Sequence, residues 1–221
     1  TAAHYDSLHG EELGGAYGYS LPFLKMSQCK TVLDVGAGTG NAMKFFESHD
    51  FSVHGVEPVS ELISVALSKG IATDKIAHAD GQNLPFDDQS FDAVCAFGVL
   101  HHVEKPNLVV KEMLRVARRV VIICDSNRFG QGSRAMRRLK LLLYRARLWK
   151  LVDWVRTKGK GYIISEADGL FYSYSVYDSL PLLRGWADDV FLMGAGEQQD
   201  SAEWLYPLLT SAGVFVCAVK N

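Results

Sequence analysis

Residues 31–41 read Thr-Val-Leu-Asp-Val-Gly-Ala-Gly-Thr-Gly-Asn, a short hydrophobic run followed by three glycines at alternate positions. Val and Leu at this density are typical of a buried β-strand, and we predict a strand over Thr31–Gly36. A helix-like segment begins at Asn41. The turn between them needs residues without a Cβ atom, because its backbone lies against a ligand while the helix packs close to the strand. This stretch therefore predicts a ligand-binding strand–turn–helix unit.

The spacing of these glycines separates two kinds of nucleotide site. Gly36, Gly38 and Gly40 form a GxGxG turn, whereas dinucleotide sites use the longer GxGxxG turn. The longer turn seats a diphosphate on the N-terminus of the following helix. The shorter spacing therefore disfavours a nicotinamide-dependent oxidoreductase, which is the alternative enzyme class for this chain.

Downstream of the glycines, strand-like and helix-like segments alternate. Further buried strands are predicted at Ser52–Glu57, Lys75–His78, Phe91–Phe97 and Arg119–Asp125, and helices at Asn41–His49, Ser60–Lys69 and Pro106–Val116. Such alternation implies right-handed βαβ crossovers and a mostly parallel sheet. We therefore predict a doubly wound, Rossmann-like α/β domain.

Two acidic residues stand at the ends of successive predicted strands. Glu57 closes the second strand, about twenty residues after the glycines, where a carboxylate can accept hydrogen bonds from both hydroxyls of a ribose. Asp80 follows the third strand, in a position to meet an exocyclic adenine amine. Ligands of open α/β sheets bind at the carboxyl ends of the strands, so together these acids indicate a nucleoside.

Four segments carry a resemblance to a known family: LDVGAGTG (33–40), GVEP (55–58), HADGQNLPFDDQSFDAV (78–94) and AFGVLHHV (96–103). Together they resemble the motifs of class I methyltransferases, in the subgroup that includes ubiquinone-biosynthesis enzymes. The resemblance covers about residues 31–125. It implies S-adenosylmethionine as the methyl donor, S-adenosylhomocysteine as the product, and a seven-stranded sheet of order 3-2-1-4-5-7-6 whose last strand is antiparallel.

The resemblance also assigns residues to parts of the cofactor. These are Gly36, Ala37 and Gly38 for the methionine and ribose portions, Glu57 for the ribose diol, Pro58, Asp80, Gly81 and Gln82 for the adenine, and Phe97 and Gly98 beneath the sulfonium.

A second resemblance lies near the start of the chain. Residues 5–10, Tyr-Asp-Ser-Leu-His-Gly, followed by Tyr17, resemble the amino-terminal segment of amino-sugar N-methyltransferases. That resemblance implies a cap over the cofactor, with Tyr5 and Tyr17 near its sulfonium and carboxylate. The alternative is that both tyrosines only pack an N-terminal helix.

Methyl transfer is an in-line displacement in which the protein mainly orients and desolvates the reactants. A hydroxyl acceptor needs a base, whereas an amine needs one less. His101 and His102 follow the fourth strand, where the methyl group would emerge. We predict His101 on the acceptor side as the general base and His102 on the cofactor side. The alternative is that both histidines are structural or belong to the cofactor site.

The acceptor site is expected to follow the fifth strand. Asn127 and Arg128 should rim it, and Phe171, Tyr172 and Tyr174 should wall it, although aromatic residues in such a run are often core residues. We interpret the chain as one domain with an N-terminal cap (1–30), a cofactor-binding core (31–125), a helical and aromatic lid (126–188) and closing strands (189–221). The closing region is predicted to contain strands at Val190–Met193 and Val214–Val219 around a helix at Ala202–Ala212.

The charge of the chain is unevenly distributed. Residues 128–160 contain eleven Lys or Arg and one acid, Asp153, so this segment carries +10 and the remainder −12, which sum to the net charge of −2. We predict an amphipathic basic helix here. It is either a lid with solvated arginines, a binding element for an anionic small-molecule acceptor, or a peripheral contact with an anionic membrane. RNA binding is disfavoured, because the rest of the chain is acidic and lacks an RNA-binding motif.

The overall composition is that of a globular protein, with 48% hydrophobic residues and no apolar run long enough to cross a bilayer. The four cysteines are far apart and show no metal-ligand spacing, which favours reduced thiols, a cytoplasmic location and no metal site. A binding module without turnover is the non-enzyme alternative, but the cofactor motifs are intact. We therefore predict methyl transfer to an oxygen or nitrogen of a small molecule, either anionic or sugar-like.

Overall fold

The computed structural model describes residues 15–165, 169–198 and 206–221. The helices are α1 (15–26 within this range), α2 (Asn41–Glu47), α3 (Ser60–Ser68), α4 (Pro106–Val116), α5 (Arg134–Arg145), α6 (Trp149–Arg156) and α7 (Val176–Trp186). The strands are β1 (Thr31–Val35), β2 (Ser52–Glu57), β3 (Ile76–His78), β4 (Phe91–Phe97), β5 (Ala117–Ser126), β6 (Tyr162–Ser165), β7 (Gly169–Tyr172), β8 (Asp189–Gln198) and β9 (Ser211–Val219).

Seven of these strands form one sheet in the order β3-β2-β1-β4-β5-β9-β8. The first five are parallel, and β9 runs antiparallel to both β5 and β8. Strands β6 and β7 pair separately as an antiparallel hairpin. The predicted order 3-2-1-4-5-7-6 is confirmed, because β8 and β9 are the sixth and seventh strands of the main sheet.

The strands are nearly continuous hydrophobic runs because helices cover both faces of the sheet. Alternate residues of β4 show this: Val94 belongs to the hydrophobic cluster shared with α4 and α7, whereas Cys95 belongs to the cluster shared with α1 and α2. The parallel strands β1, β2, β3 and β4 therefore end at the same edge of the sheet. The loops that follow them are brought together there.

The C-terminal part of the predicted lid (126–188) differs from the expectation. Residues 176–186 form α7, which packs on α4, β5 and β9 and buries Leu180 and Leu183 in the core. The helix begins with a capping box, in which Ser175 and Asp178 each accept a hydrogen bond from the backbone of the other. This Ser-x-x-Asp signal precedes an apolar run and is visible in the sequence. Residues 176–186 therefore belong to the layer of helices that packs on the sheet, and they are not part of a lid.

The basic stretch also differs, because it forms two helices and not one. Arg147 has a φ of 61° in the link between α5 and α6, and this left-handed residue turns the chain. The outward faces of both helices carry basic and apolar side chains together.

The predicted helix Ala202–Ala212 is wrong over its described part. Residues 206–210 form turns and Ser211 begins β9; residues 202–205, with Trp204, lie outside the described residues. Asn127 supplies the physical reason. Its side-chain amide donates to the carbonyl oxygens of Pro207 (3.4 Å), Leu208 (2.8 Å) and Ser211 (2.8 Å). These tertiary bonds satisfy backbone carbonyl groups of the turn and hold it against the end of β5.

Within the described residues, no helix combines the length and the apolar character needed to span a membrane.

We expect Asn127→Ala to destabilise the fold by about 2–3 kcal/mol, because buried carbonyl groups lose their donor. Asn127 is fully buried and its Oδ1 also accepts from the amide of Phe129. Urea denaturation measures the free energy of unfolding. Asn107→Ala, at an exposed position of α4, is the control and should leave it within about 0.5 kcal/mol. Asn127, predicted at the rim of the acceptor site, is thus bound within the fold, and an unchanged stability for Asn127→Ala would mean that these hydrogen bonds do not hold the turn.

Candidate functional site

The turn after β1 is built on glycines with left-handed backbone conformations. Gly36 has a φ of 76°, and its amide and that of Ala37 donate to the carbonyl oxygen of Val56 at 2.8 and 3.0 Å. A Cβ atom on Gly36 would lie 2.5 Å from the Val99 side chain. Gly38 is also left-handed, with a φ of 53°. The turn is therefore clamped between β2 and the loop after β4, and this leaves no room for a side chain at Gly36.

Glu57 ties this turn to the end of β2. Its Oε2 accepts a hydrogen bond from the amide of Gly38 at 2.9 Å, and its Oε1 accepts one from the amide of Val59 at 3.0 Å. Burial raises the pKa of Glu57, and the two amide donors oppose that rise. Each carboxylate oxygen has two lone pairs, so each can still accept a hydroxyl of a ligand.

A second buried carboxylate lies behind the turn. Asp34, in the middle of the sheet between Gly55 and Cys95, has an Oδ2 atom that is buried and has no hydrogen-bond partner in the described part of the chain. Burial, followed by the charge of Glu57, raises the pKa of Asp34 to about 7. Such an orphaned oxygen is costly and is explained most simply by a donor that binds at the site.

The loop after β3 reaches the same edge. Asp80 is exposed and organises the loop by accepting from the backbone and side-chain amides of Gln82 at 2.9 and 3.1 Å. A Cβ atom on Gly81 would lie 3.0 Å from Val35, so this loop packs directly on the end of β1. Pro58 is exposed beside it, and its carbonyl oxygen is 2.9 Å from Nε2 of His78. The predicted adenine-binding residues thus lie around one rim.

An aromatic cluster lies at the end of β4. Phe97 is buried, and the ring of Tyr17 from α1 meets it edge-on with 4.9 Å between centroids. Gly98 continues with a φ of 68°, and its amide donates to the carbonyl oxygen of Cys124 at 2.8 Å. Tyr17 therefore reaches the predicted sulfonium end of the site. Tyr5 lies outside the described residues.

The two histidines after β4 have different partners. Nδ1 of His101 is 2.7 Å from Oδ1 of Asp125, and both residues are buried. Oδ2 of Asp125 accepts from the amide of Leu100 at 2.8 Å, which fixes the carboxylate relative to the histidine turn. A carboxylate at Nδ1 holds the proton there, so the neutral imidazole presents Nε2 as its basic atom. This pairing of Asp125 was not predicted from the sequence, although the position of Asp125 at the end of the fifth strand was visible there.

The β6–β7 hairpin lies over these histidines. Nδ1 of His102 is 2.6 Å from the carbonyl oxygen of Leu170, and the ring of Phe171 is 5.5 Å from that of His101. The structure thus links His102 to the hairpin, whereas the sequence analysis placed it on the cofactor side.

A cavity of about 160 Å³ opens between α5, α6 and β7. Its wall combines cations with aromatic and aliphatic side chains: Arg128, Gln131, Met136, Lys140, Leu143, Trp149, Val152, Arg156, Phe171, Ser173 and Tyr174. Phe171 belongs both to this wall and to the surroundings of His101. Tyr174 is nearly buried, with its hydroxyl 2.7 Å from Oγ of Ser179, so it contributes mostly to the core. Tyr172 does not line the cavity, because its ring packs on Tyr162 of the hairpin.

Arg128 is the most buried cation of this wall. It pairs with Asp178, donates to the carbonyl oxygen of Ser173 at 2.8 Å, and lies 5.3 Å from the ring centre of Trp149. Its Nε atom is buried and has no hydrogen-bond partner among the described residues. Burial, followed by the charges of neighbouring arginines, lowers the pKa of Lys140 in the same wall. The wall thus holds three cationic side chains, of which Arg128 is paired with Asp178 and Arg156 with Asp153.

Comparisons with known proteins agree with this geometry. Residues 33–124 match the family model described as a methyltransferase domain. The uncharacterized methyltransferase YcgJ of Bacillus subtilis is 31% identical over 114 residues, which are 48% of this chain and 42% of that protein. A probable tRNA methyltransferase 9B of Mus musculus is 37% identical over 90 residues, 38% of this chain and 19% of that protein. The chain thus spans less than half the length of these relatives.

Among solved structures, the complex of the Haloferax volcanii Trm112 methyltransferase activator with a methyltransferase includes a similar chain, with a TM-score of 0.64 at 14% identity. That likeness covers 100% of this chain and 94% of the other, and it concerns the fold. The sheet order, the glycine turn and the family match leave the oxidoreductase alternative without support. The match over residues 33–124 and the order of the sheet thus support the resemblance to class I S-adenosylmethionine-dependent methyltransferases in the segment that holds the glycine turn, Glu57, Asp80 and both histidines.

Proposed function

We propose that this domain transfers a methyl group from S-adenosylmethionine to a small acceptor, at oxygen or nitrogen, and that a hydroxyl is the group it serves best. The observation that carries the preference is the 2.7 Å contact between His101 and Asp125 at the ends of β4 and β5. An amine can attack with its own lone pair, whereas a hydroxyl must lose a proton. A buried histidine held by a carboxylate is suited to take that proton.

The residues at the edge of the sheet fit the cofactor. Its ribose would meet the lone pairs left on Glu57, its adenine the rim at Asp80, and its methionine portion the glycine turn, with Asp34 offering an unpaired oxygen close by. The bound cofactor supplies an electrophilic methyl group on a sulfonium. The protein's part is to orient the acceptor, exclude water and move one proton.

His101 performs the proton transfer in this proposal. Its Nε2 accepts the proton of the acceptor hydroxyl, and Asp125 stabilises the imidazolium that forms. The hairpin above the histidine helps to exclude water, because Phe171 covers the imidazole ring. Desolvation strengthens the interaction between imidazolium and carboxylate.

The acceptor is proposed to extend from His101 into the neighbouring cavity. The guanidinium of Arg128 and the ammonium of Lys140 favour an anionic group, and Trp149 and Phe171 provide flat surfaces for a ring. This supports a small anionic or sugar-like acceptor. The mouse relative is named as a probable tRNA methyltransferase. RNA is therefore the competing class of acceptor, and any screen must include it.

We expect Glu57→Ala to weaken the binding of S-adenosylhomocysteine by about 2–3 kcal/mol, because the ribose loses its acceptor and the glycine turn loses its anchor at Gly38. Isothermal calorimetry measures the affinity. Glu61→Ala, an exposed acid at the start of α3, is the matched control and should bind normally. Equal affinities for the two variants would remove Glu57 from the cofactor site.

We expect His101→Gln to lower kcat by roughly 10²- to 10⁴-fold with a hydroxyl acceptor, because the base is lost. Formation of S-adenosylhomocysteine is measured against a panel of hydroxyl-bearing, amine-bearing and RNA acceptors. His102→Gln, which replaces the neighbouring imidazole, is the control; Nδ1 of His102 is 2.6 Å from the carbonyl oxygen of Leu170 in the hairpin. If His101→Gln kept its rate on every hydroxyl acceptor, the pair with Asp125 would be structural.

A further inference from the structure

The outward side of α5 and α6 exposes large apolar side chains. Leu142 is 64% exposed, Leu151 59% and Trp154 62%. Ile164, on the adjoining β6–β7 hairpin, is 70% exposed. We call this surface the outer face and define it by the exposed side chains Leu139, Leu142, Leu148, Leu151, Trp154, Val155 and Ile164. Isolated exposed leucines are ordinary, but a set gathered on two consecutive helices indicates an interaction surface.

The outer face follows from the helical period. Side chains advance by about 100° per residue, so Leu139 and Leu142 lie on one side of α5 while Arg137 lies buried on the other. In α6 the same period turns Leu151 and Trp154 outward, whereas Trp149 and Val152 line the cavity on the inner side. The inner sides of the two helices therefore contribute to the cavity region. Each helix also has a strip of apolar side chains that is exposed to solvent.

Basic side chains border these apolar strips. Residues 134–160 contain ten Lys or Arg and one acid, Asp153. On α5, Arg138 and Arg145 are exposed beside Leu142, and Lys150 is exposed beside Leu151 at the start of α6. The outer face therefore combines exposed apolar side chains with exposed basic side chains.

We propose that the outer face binds an anionic lipid surface peripherally. At such an interface the apolar side chains enter the boundary of the acyl chains while Lys and Arg stay among the phosphate headgroups. RNA would pair the cations but leave the leucines in water. A protein partner would cover the leucines, but it would need a strongly acidic surface to match the cations. Only the lipid interface satisfies both groups without further assumptions.

The proposal also explains the distribution of charge along the chain. The remainder of the chain carries −12 against +10 in residues 128–160, so an anionic membrane attracts the basic segment and repels the rest. Docking through the outer face would leave the cavity on the inner side of α5 and α6, about one helix diameter (roughly 10 Å) from the lipid. The proposal does not depend on the identity of the methyl acceptor.

Co-sedimentation with vesicles tests the proposal on the full chain. We expect binding to phosphatidylcholine vesicles that contain phosphatidylglycerol, weak binding to phosphatidylcholine alone, and loss of binding at high salt. Leu142→Ser/Leu151→Ser/Trp154→Ser should bind at least about tenfold more weakly, and so should Arg138→Glu/Arg145→Glu. The matched controls are Met26→Ser/Leu108→Ser and Lys44→Glu/Lys111→Glu, which change exposed residues of other elements and should bind as the wild type does.

Calorimetry with S-adenosylhomocysteine shows whether each variant is folded, because it reports on the glycine turn and not on the outer face. The proposal is overturned if the wild type does not bind anionic vesicles, or if the triple variant, folded by this measure, binds them as tightly. It is also overturned if binding to tRNA, and not to vesicles, depends on Arg138 and Arg145. Light scattering decides a further alternative: a wild-type dimer that the triple variant dissociates would mean that a second copy of the chain covers the outer face.

Discussion

The close approach of three backbone segments at the end of β1 is the constraint on which the site depends. The turn at Gly36 passes so near Val99 that a Cβ atom would overlap its side chain, and the amides of Gly36 and Ala37 are held by Val56. The next amide is held by Glu57. Parallel strands bring these segments to one edge, and the absence of a side chain keeps the edge open for a ligand.

The same edge concentrates acidic groups that water cannot reach. Asp34 and Glu57 are both buried, and each has a raised pKa because burial disfavours the charged carboxylate. A protein retains such groups at a cost to its stability. The hydrogen bonds donated by a bound ligand would offset the free energy lost by burying these carboxylates. S-adenosylmethionine, with its ribose hydroxyls and amino groups, has that chemistry.

The segment after β5 that contains α5, α6 and the β6–β7 hairpin has two sides with different environments. Its inner side lines a cavity that Phe171 shares with the surroundings of His101, while its outer side presents leucines and basic residues to solvent. One pair of short helices thereby serves both surfaces, because a helix can present different residues around its circumference. The next helix, α7, packs in the hydrophobic core, and the chain then re-enters the sheet at β8.

The sequence by itself determined the doubly wound fold and the positions of the cofactor motifs, which depend on local signals: the glycine spacing at Gly36 and Gly38, the period of the strands, and the acids Glu57 and Asp80 at strand ends. The order of the sheet was implied by the resemblance to class I methyltransferases and not by these signals. Only the tertiary structure paired His101 with Asp125, because these residues are 24 positions apart and meet through adjacent parallel strands. It also replaced the predicted final helix with turns, whose carbonyl groups at Leu208 and Ser211 accept hydrogen bonds from the side chain of Asn127, about 80 positions away. Local patterns carry the backbone period, whereas contacts between distant residues are decided by how the completed elements pack.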